Sequence, residues 1–413
     1  MKIPVLWFSD SPTVETGFGQ VAKQLLKNLY QTNKYEFTVW GINYFGQKYS
    51  TDEFPYTILK ASCPRDNGQI DIYGFSELEK LILSGKYKIL FTLNDLHILY
   101  YIADMVIKAR EKNIKMSWVA YAPLDVDYVT PVLCRCFTVA DYPVAYTYFE
   151  YNKIVECMPE LRDKLTVIYH GTEPETFFPL PSKERKRLRK EYFGIDDDTF
   201  LIVNVNRNQW RKDLGRSMYI AKEYYKINKN TMLYLHAKTN DIGGMLTNQA
   251  SSVGIFRECG DKFLVLTPPS FDPAVGVPRH VLNNIYNCAD VLLTTTLGEG
   301  WGLSLTEAMC AKVPVLGPRN TSLIEIIGSN EERGWLAECG TTTSEWMIPY
   351  GNSDILRPLM NVDSCVKKLD EIYSMDPAKK ELKLWSAMNW AKEITWAKIG
   401  LKWRKIFERA TEC

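Results

Sequence analysis

Short apolar runs alternate with helical patterns along the chain, and this alternation constrains the fold more than any other feature. The run "IPVLWFS" at residues 3–9 is typical of a buried strand. The segment after it places Val21, Leu25 and Leu29 on one face of a helix. Consecutive strands joined through helices run parallel and are covered on both faces. The sequence therefore predicts an α/β fold built on parallel sheets.

A segment with several prolines divides the chain into two halves. The 413 residues exceed what one hydrophobic core usually supports. Residues 172–198 contain several prolines and then a charged helix, after which the strand pattern restarts with "TFLIVNVNRN". The Trp-rich segment from Lys383 onward predicts one long amphipathic helix. We therefore predict two similar α/β domains, in which ligands bind at the carboxyl ends of the strands.

The composition is that of an ordinary globular protein, with a formal net charge of +1 that gives no general attraction to nucleic acid or to anionic membranes. No stretch approaches the ~20 apolar residues of a membrane span, and the apolar run at the N-terminus is too short for a signal peptide. Cys134 and Cys136 form a C-x-C pair without a partner pair, so reduced thiols are expected. These features predict a soluble, cytoplasmic protein without a nucleic-acid partner or a transmembrane segment.

A glycine-rich loop follows the first strand. Gly17, Gly19 and Ala22 fit the dinucleotide pattern G-x-G-x-x-A. The glycines lie too far beyond the strand for the tight turn of that motif, and the second strand ends in Asn43 where an NAD site has an acid. We therefore interpret the loop as the opening of a helix whose N-terminus favours an anion. The alternative is a glycine turn that binds no ligand.

Polar side chains also follow two later strands of the first half. Asn94, Asp95 and His97 come after one strand, and Asp125 and Asp127 after the next. His97 is equally consistent with a structural and a catalytic role. The D-x-D pair could hold a metal, but a solvated pair of loop carboxylates is the interpretation we prefer, so no metal site is predicted.

In the second half, the loop "NVNRNQWRKD" follows the first strand. It places Arg207 and Lys212 five residues apart across a turn, with Arg211 adjacent to Lys212. Two cations that converge at a strand end suit a diphosphate. Ordinary surface charge is the alternative.

The stretch "LGEGWGLSLTEAMC" permits two interpretations. Ser304 and Glu307 have the spacing of a capping box, which would give Glu307 a structural role. A helix that starts earlier, at Gly300 or Gly302, would instead place Glu307 inside the helix, where it could accept hydrogen bonds from ribose hydroxyls. The glycines would also let backbone N–H groups approach an anion. Spacing alone does not decide between the two.

The segment "EGWGLSLTEAMCAKVPVLGP" resembles the signature of glycosyltransferase family four. The resemblance implies a retaining enzyme of the GT-B fold, with two Rossmann-like domains on either side of a cleft. It further implies an acceptor-side domain of residues 1–172, a nucleotide-sugar-binding domain of residues 173–385, and a last helix, residues 386–413, that crosses back to the first domain. The chain also resembles glycosyltransferases encoded by large DNA viruses of algae. Further segments that resemble the family are "TGFGQVAKQLL", "VIYHGTEPETFFP", "NVNRNQWRKD", "LNNIYNCADVLLTTTLGEGWGL" and "ITWAKIGLKWRKIFERA".

The resemblance implies a role for each matching residue. Arg207 and Lys212 would neutralise the donor diphosphate, Glu307 would hold the ribose, and Glu299 would bind hydroxyls of the sugar. Many members of the family have a histidine in the segment that corresponds to "YAPLD", where it contacts the transferred sugar. This chain lacks that histidine, and Asp125 or His97 could take its role. Catalytic roles thus fall to Arg207, Lys212, Glu299 and Asp125. The remaining implied contacts are the backbone of Gly300, Trp301, Gly302 and Leu303 at sugar or phosphate, Gly17 and Gly19 at the diphosphate, and Asn94, Asp95 and His97 on the acceptor side.

The expected activity is retaining transfer of a hexose from a nucleotide sugar to a glycan, protein- or lipid-linked hydroxyl, without a metal or another cofactor. GDP-mannose is the first donor to consider and UDP-glucose the second, and the exposed aromatics leave room for a homodimer. One alternative is an oxidoreductase with two Rossmann-like domains, against which the missing acid after the second strand argues. Others are a nucleotide-sugar-binding protein without turnover and a transferase that acts on a DNA base.

Overall fold

The computed structural model describes residues 2–64, 68–272, 275–349 and 355–412. The chain forms two compact units. The first comprises Met1–Gly171 with Trp396–Cys413, and the second comprises Thr172–Thr395. Each unit is described by itself below.

The described part of the first unit contains a seven-stranded parallel sheet in the order β3-β2-β1-β6-β7-β8-β9, and a small antiparallel pair, β4 and β5. The strands are β1 (Ile3–Asp10), β2 (Tyr35–Ile42), β3 (Thr57–Lys60), β4 (Cys63–Pro64), β5 (Ile70–Asp71), β6 (Ile89–Leu93), β7 (Ser117–Ala122), β8 (Tyr142–Ala145) and β9 (Thr166–Val167). The helices are α1 (Gly17–Tyr30), α2 (Phe75–Leu83), α3 (Leu96–Glu111), α4 (Arg135–Val139) and α5 (Tyr148–Cys157).

The described part of the second unit contains a six-stranded parallel sheet in the order β14-β11-β10-β15-β16-β17, and two short antiparallel pairs, β12–β13 and β18–β19. The strands are β10 (Phe200–Val205), β11 (Thr231–His236), β12 (Asn240–Asp241), β13 (Gly244–Met245), β14 (Leu264–Leu266), β15 (Val291–Leu293), β16 (Val315–Pro318), β17 (Trp335–Ala337), β18 (Trp346–Met347) and β19 (Arg357–Pro358). The helices are α6 (Ser182–Phe193), α7 (Leu214–Tyr225), α8 (Leu246–Ser252), α9 (Ile255–Glu258), α10 (Arg279–Cys288), α11 (Leu303–Cys310), α12 (Leu323–Ile327), α13 (Val362–Ser374) and α14 (Pro377–Glu393).

The predicted α/β fold with parallel sheets is confirmed in both units. The central strands are mostly apolar because helices cover both faces of each sheet. In the first unit Trp7 is fully buried and stacks on Phe91, with ring centroids 3.8 Å apart. In the second unit Ile202 and Leu233, on neighbouring strands, belong to one buried hydrophobic cluster. Burial of these strands gives each unit its own core.

The prediction of one long helix from Lys383 onward is wrong. The segment forms α14 and a separate last helix, α15 (Trp396–Arg409). The backbone N–H of Thr172 donates to the carbonyl of Ile394, and the Thr172 hydroxyl donates to the carbonyl of Ala391, which ties the chain down where α14 ends. The last helix belongs to the first unit, where Trp403 is fully buried. None of the helices in the described ranges is long and apolar enough to cross a membrane.

The strand order determines where each unit can bind a ligand. In the first sheet β1 lies between β2 and β6, and in the second sheet β10 lies between β11 and β15. Sequential order reverses at these strands, and ligands of open parallel sheets bind at the carboxyl end of such a switch point. The loops to consider therefore follow β1 and β6 in the first unit and β10 and β15 in the second.

Candidate functional site

Two loops of the second unit meet through a buried cluster of charges. The loop after β10 carries Arg211 and Lys212, and the turn after β15 carries Glu299. The ammonium group of Lys212 donates to Glu299 Oε1, and Arg211 Nη1 lies 3.2 Å from Glu299 Oε2. Arg211 Nη1 also donates to the carbonyl of Gly298 at 2.6 Å. Lys212 and Glu299 are both buried, so the pair is shielded from water.

The charges of this cluster keep Glu299 ionised. Burial by itself raises the pKa of the Glu299 carboxyl. The charges and hydrogen bonds of Lys212 and Arg211 outweigh burial and lower the pKa of Glu299 to about 2. At neutral pH the carboxylate is therefore an acceptor of hydrogen bonds. Together the three groups carry a net positive charge, which favours an anionic ligand.

Buried hydroxyl groups hold the two loops together. Thr295 Oγ1 donates to the backbone carbonyls of Lys212 and Asp213, at 3.1 and 2.9 Å. Ser217 Oγ lies 2.7 Å from Thr295 Oγ1, which links the start of α7 to the same point. The backbone N–H of Leu297 donates to the Arg211 carbonyl at 2.7 Å. These bonds fix the backbone around Lys212 to the end of β15.

The glutamate turn is also anchored from the loop after β16. The backbone N–H of Glu299 donates to Thr321 Oγ1 at 2.9 Å, and Ser322 Oγ donates to the Glu299 carbonyl at 2.7 Å. All three residues are buried. Both ends of the Glu299 peptide are thus held, and the side chain is directed at the cations by a fixed backbone.

Arg207, the other predicted diphosphate ligand, has a different carboxylate as its partner. Its Nε donates to Asp241 Oδ2 at 2.9 Å, and the side chain is 55% exposed. Burial raises the pKa of Asp241, but the hydrogen bond and charge of Arg207 contribute to a net lowering. Asn208 ties the same loop to the β12–β13 hairpin through its bonds to the carbonyls of Lys238 and Gly244. Arg207 is therefore accessible to a ligand.

The structure decides where the helix after the glutamate turn begins. Helix α11 starts at Leu303, with Gly302 as its N-cap and no side-chain cap bond. Gly302 has a φ of +98°, a left-handed conformation that favours glycine. Ser304 lies inside the helix, so the capping-box alternative for Glu307 is wrong. Gly300 and Trp301 are buried within the turn, ahead of the half-buried start of the helix.

Glu307 lies on α11 and faces α10. Tyr286 donates its hydroxyl proton to Glu307 Oε2 at 2.7 Å. Arg279 Nη2 lies 3.6 Å from Glu307 Oε1 and is hydrogen-bonded to Glu173. Tyr286 is fully buried, whereas the Glu307 side chain keeps 17% of its surface exposed. A ligand can thus contact Glu307 from the solvent side, while residues of α10 hold its carboxylate on the other side.

In the first unit, the glycine loop opens a helix as predicted. Helix α1 begins at Gly17, and its N-cap Thr16 accepts a hydrogen bond from the N–H of Gly19 at 3.1 Å. A Cβ on Gly19 would lie 2.3 Å from the carbonyl oxygen of Val14, so the loop packs too closely there for any side chain. Gly19 therefore has a structural reason to be glycine, while Gly17 is exposed at the helix start.

The other candidates of the first unit lie in the loops after β6 and β7. Asn94 is buried and its Oδ1 accepts the N–H of Asp95, which is the N-cap of α3. His97 is exposed in the first turn of α3. Asp125 is half-buried, and Asp127 forms an exposed ion pair with Lys153 at 3.5 Å. Within the residues that the structure describes, no group of three or more histidine, cysteine or carboxylate side chains could hold a metal ion.

Sequence reasoning missed several residues that build the site. Arg211 was noted beside Lys212, but its contact with Glu299 was not foreseen. The hydroxyls of Thr294 to Thr296 also belong to this group, although three consecutive threonines at the end of an apolar run already suggest hydrogen bonds to a neighbouring loop. Tyr286 gave no signal, because one tyrosine in an amphipathic helix is ordinary.

Comparison with known proteins shows a similarity to glycosyltransferases. Residues 274–345 match the model of the family described as Glycosyl transferases group 1. The match includes α10, the glutamate turn and α11. Among curated proteins, an uncharacterized glycosyltransferase of Methanocaldococcus jannaschii is 26% identical over 220 residues, which are 53% of each chain. The alpha-galactosylglucosyldiacylglycerol synthase of Streptococcus pneumoniae is 26% identical over 166 residues, 40% of each chain. The matched region thus spans about half the length of these relatives or less.

Solved structures match over nearly the whole chain. Sucrose-phosphate synthase from Thermosynechococcus elongatus superposes with a TM-score of 0.70 at 15% identity, covering 99% of both chains. Anabaena HepE in complex with UDP-glucose has a TM-score of 0.68 at 12% identity, covering 98% of this chain and 100% of its own. At such identities the likeness shows the fold, which is GT-B. The chain thus has the GT-B fold, and its residues 274–345 are similar to the group 1 glycosyl transferase family.

Proposed function

We propose that this protein is a glycosyltransferase that moves a hexose from a nucleotide-diphosphate sugar to a hydroxyl of a glycan, protein- or lipid-linked acceptor. The observation that carries the proposal is the cluster of Lys212, Arg211 and Glu299 at the carboxyl ends of β10 and β15. Glu299 lies within the segment that matches the group 1 family, eight residues before Glu307 in the same segment.

The cations provide what the leaving group requires. When the glycosidic bond breaks, negative charge develops on the diphosphate, and fixed positive groups in a buried site stabilise that charge. Lys212 is held by its backbone and by Glu299, so it needs little rearrangement when the donor binds. The Arg207 side chain is 55% exposed and can turn from Asp241 to a phosphate. Two such cations make a metal ion unnecessary for this step.

Glu299 is suited to hold the sugar rather than to attack it. Its low pKa makes it a weak base, and its two oxygens are already engaged by cations. A carboxylate in this state accepts hydrogen bonds from sugar hydroxyls. We therefore propose transfer with retention through an oxocarbenium-like transition state. The acceptor hydroxyl attacks from the leaving-group face, and the departing diphosphate takes its proton.

The remaining candidates have supporting roles in this proposal. Glu307 binds the ribose, and the backbone from Gly300 to Leu303, including Trp301 and Gly302, lies against sugar or phosphate. Gly17 and Gly19 are assigned to the diphosphate. Asn94, Asp95, His97 and Asp125 are assigned to the acceptor or the transferred sugar.

Two donors have separate support. GDP-mannose is suggested by the resemblance to family four, whereas UDP-glucose is the ligand of the Anabaena HepE structure. The proposal is tested by incubating the protein with GDP-mannose, UDP-glucose and a panel of acceptors, with and without EDTA, and by following release of the nucleoside diphosphate. Proton NMR of the first product reports the anomeric configuration.

The proposal expects release of the diphosphate that depends on an acceptor, persists in EDTA and gives a product with the anomeric configuration of the donor. Binding of nucleotide sugars without any turnover across the panel would instead identify a binding protein. An inverted product would contradict the retaining mechanism alone.

A further inference from the structure

We propose that Tyr286 is a positioning residue for Glu307, and that this contact makes the donor site selective for a ribose over a deoxyribose nucleotide. The inference rests on the proposed function, because it assumes that Glu307 faces the ribose. It goes further by assigning a role to a buried side chain on another helix.

The first step is the direction of the hydrogen bond. Tyr286 is fully buried, and burial, followed by the charge of Glu307 and the bond to it, raises the pKa of Tyr286 well above its ordinary value. The phenol therefore stays protonated and is always the donor to Glu307 Oε2. A hydrogen bond to a charged acceptor in a buried setting is short and directional. Here it spans 2.7 Å.

The second step is the immobility of the tyrosine. The ring of Phe177 packs edge-on against the ring of Tyr286, with centroids 5.7 Å apart. The guanidinium group of Arg279 lies over the Phe177 ring, 4.8 Å from its centroid. A fully buried ring in such packing has few rotamers available. Tyr286 thus provides a fixed point on α10 to which one oxygen of Glu307 is attached.

The third step separates Tyr286 from Arg279. Arg279 Nη2 lies 3.6 Å from Glu307 Oε1, beyond the ordinary range of a hydrogen bond, and it is bonded to Glu173. Arg279 therefore places a positive charge near Glu307 but does little to orient its carboxylate. Tyr286 orients the carboxylate of Glu307, because a hydrogen bond weakens steeply as its donor–acceptor angle departs from linearity.

The consequence concerns selectivity. A carboxylate fixed at one oxygen can accept hydroxyl protons from a ribose in one geometry. When a ribose hydroxyl is missing, the carboxylate oxygen that the nucleotide has removed from water forms no hydrogen bond with the ligand, and this weakens binding. A carboxylate that can rotate accepts hydrogen bonds from other groups instead, and therefore discriminates less between ribose and deoxyribose nucleotides. Ribose selectivity should therefore depend on Tyr286 as well as on Glu307.

The test is titration calorimetry with UDP and GDP and with their 2′-deoxy and 3′-deoxy forms. The variants are Tyr286→Phe, Glu307→Gln and the double variant. Tyr192→Phe is the matched control, because its hydroxyl bonds Asn284 of the same helix α10 at 3.2 Å. Wild type should prefer at least one ribonucleotide over a deoxy form by about tenfold or more, the size of a hydrogen bond to a charged group.

Tyr286→Phe should bring that preference close to unity, Tyr192→Phe should keep it, and Tyr286→Phe should add nothing in the Glu307→Gln background. Equal weakening of ribo and deoxy forms by Tyr286→Phe, or an unchanged preference, would overturn the inference. If Tyr286→Phe does not fold, Glu307→Asp keeps the charge but withdraws the carboxylate from Tyr286, and a retained preference there would also overturn it.

Failure of the inference is distinct from failure of the proposed function. A wild-type protein that binds UDP or GDP without preference for ribose overturns the inference alone. A wild-type protein that binds none of these nucleotides overturns both.

Discussion

Lys212 donates a hydrogen bond from its ammonium group to the carboxylate of Glu299, and both side chains are almost fully buried. The two residues come from different loops, which follow the adjacent strands β10 and β15. Because both groups have left water, each depends on the other for compensation of its charge. The pair therefore connects the fold of the second unit to its proposed chemistry.

Replacement of Lys212 by methionine should impair both stability and activity. The variant leaves Glu299 buried with Arg211 as its remaining cationic contact at this point, and loss of one partner of a buried pair costs about 3 kcal/mol. Urea denaturation at neutral pH measures the loss, and a turnover assay should show a parallel fall. The control is Lys190→Met, because the pair of Lys190 with Asp196 is exposed and contributes less than about 1 kcal/mol. Equal stability of the two variants would contradict the account.

The pKa of Glu299 predicts how its contribution to stability depends on pH. The pKa is lowered from an ordinary 4.5 to about 2 on folding, so the unfolded chain takes up a proton more readily. The stability that Glu299 contributes is therefore present above pH 4.5 and is lost as the pH falls through about 2. The difference in unfolding free energy between wild type and Glu299→Gln should shrink over this window. A difference that grows towards low pH would show that the carboxylate is not ionised in the fold.

Much of this arrangement could be predicted from the sequence, for identifiable reasons. Apolar runs separated by helical patterns determined the parallel sheets, and the carboxyl ends of those strands marked the loops that carry Arg207, Lys212 and Glu299. The start of α11 could not be predicted, because Ser304 and Gly302 are both acceptable helix N-caps. The left-handed φ of Gly302 decided it, and backbone angles are not visible in residue types.

Contacts between distant segments were the part that sequence reasoning could not supply. The pairing of Tyr286 with Glu307 depends on how α10 packs against α11, and the pairing of Arg207 with Asp241 depends on the β12–β13 hairpin. The break between α14 and α15 likewise depends on Thr172, more than 200 residues earlier in the chain. Local periodicity contains no information about such partners.

Arg207→Ala should reduce turnover far more than it reduces stability. The Arg207 side chain is 55% exposed, which limits its contribution to folding although its partner Asp241 is largely buried, whereas loss of a charge-stabilising group lowers kcat by about 100-fold. Steady-state kinetics with saturating donor measure the effect, and thermal unfolding checks the fold. Arg187→Ala, at an equally exposed position on α6, is the control and should keep its turnover. Near-normal transfer by Arg207→Ala would exclude its role at the diphosphate.

Thr295→Val should show that the hydroxyl network positions Lys212. The change keeps the shape of the side chain but removes the bonds to the carbonyls of Lys212 and Asp213, at a cost of about 1–3 kcal/mol. A displaced loop should also lower turnover by about tenfold or more. Thr231→Val is matched to it, because Thr231 is buried and bonds the Asn228 carbonyl at the opposite, amino end of β11. If both variants lose stability and neither loses turnover, the hydroxyl network contributes to folding alone and the prediction is contradicted.

The central claim is that the second unit binds a nucleotide-diphosphate sugar through Lys212, Arg207 and Glu307. Titration calorimetry of the wild-type protein with GDP-mannose and UDP-glucose, repeated with Arg207→Ala and Glu307→Gln, tests it most directly. The account predicts saturable one-to-one binding of at least one donor, with a Kd between about 1 µM and 1 mM, and weaker binding by both variants. Absence of binding by the wild type, or affinities that neither variant alters, would contradict it.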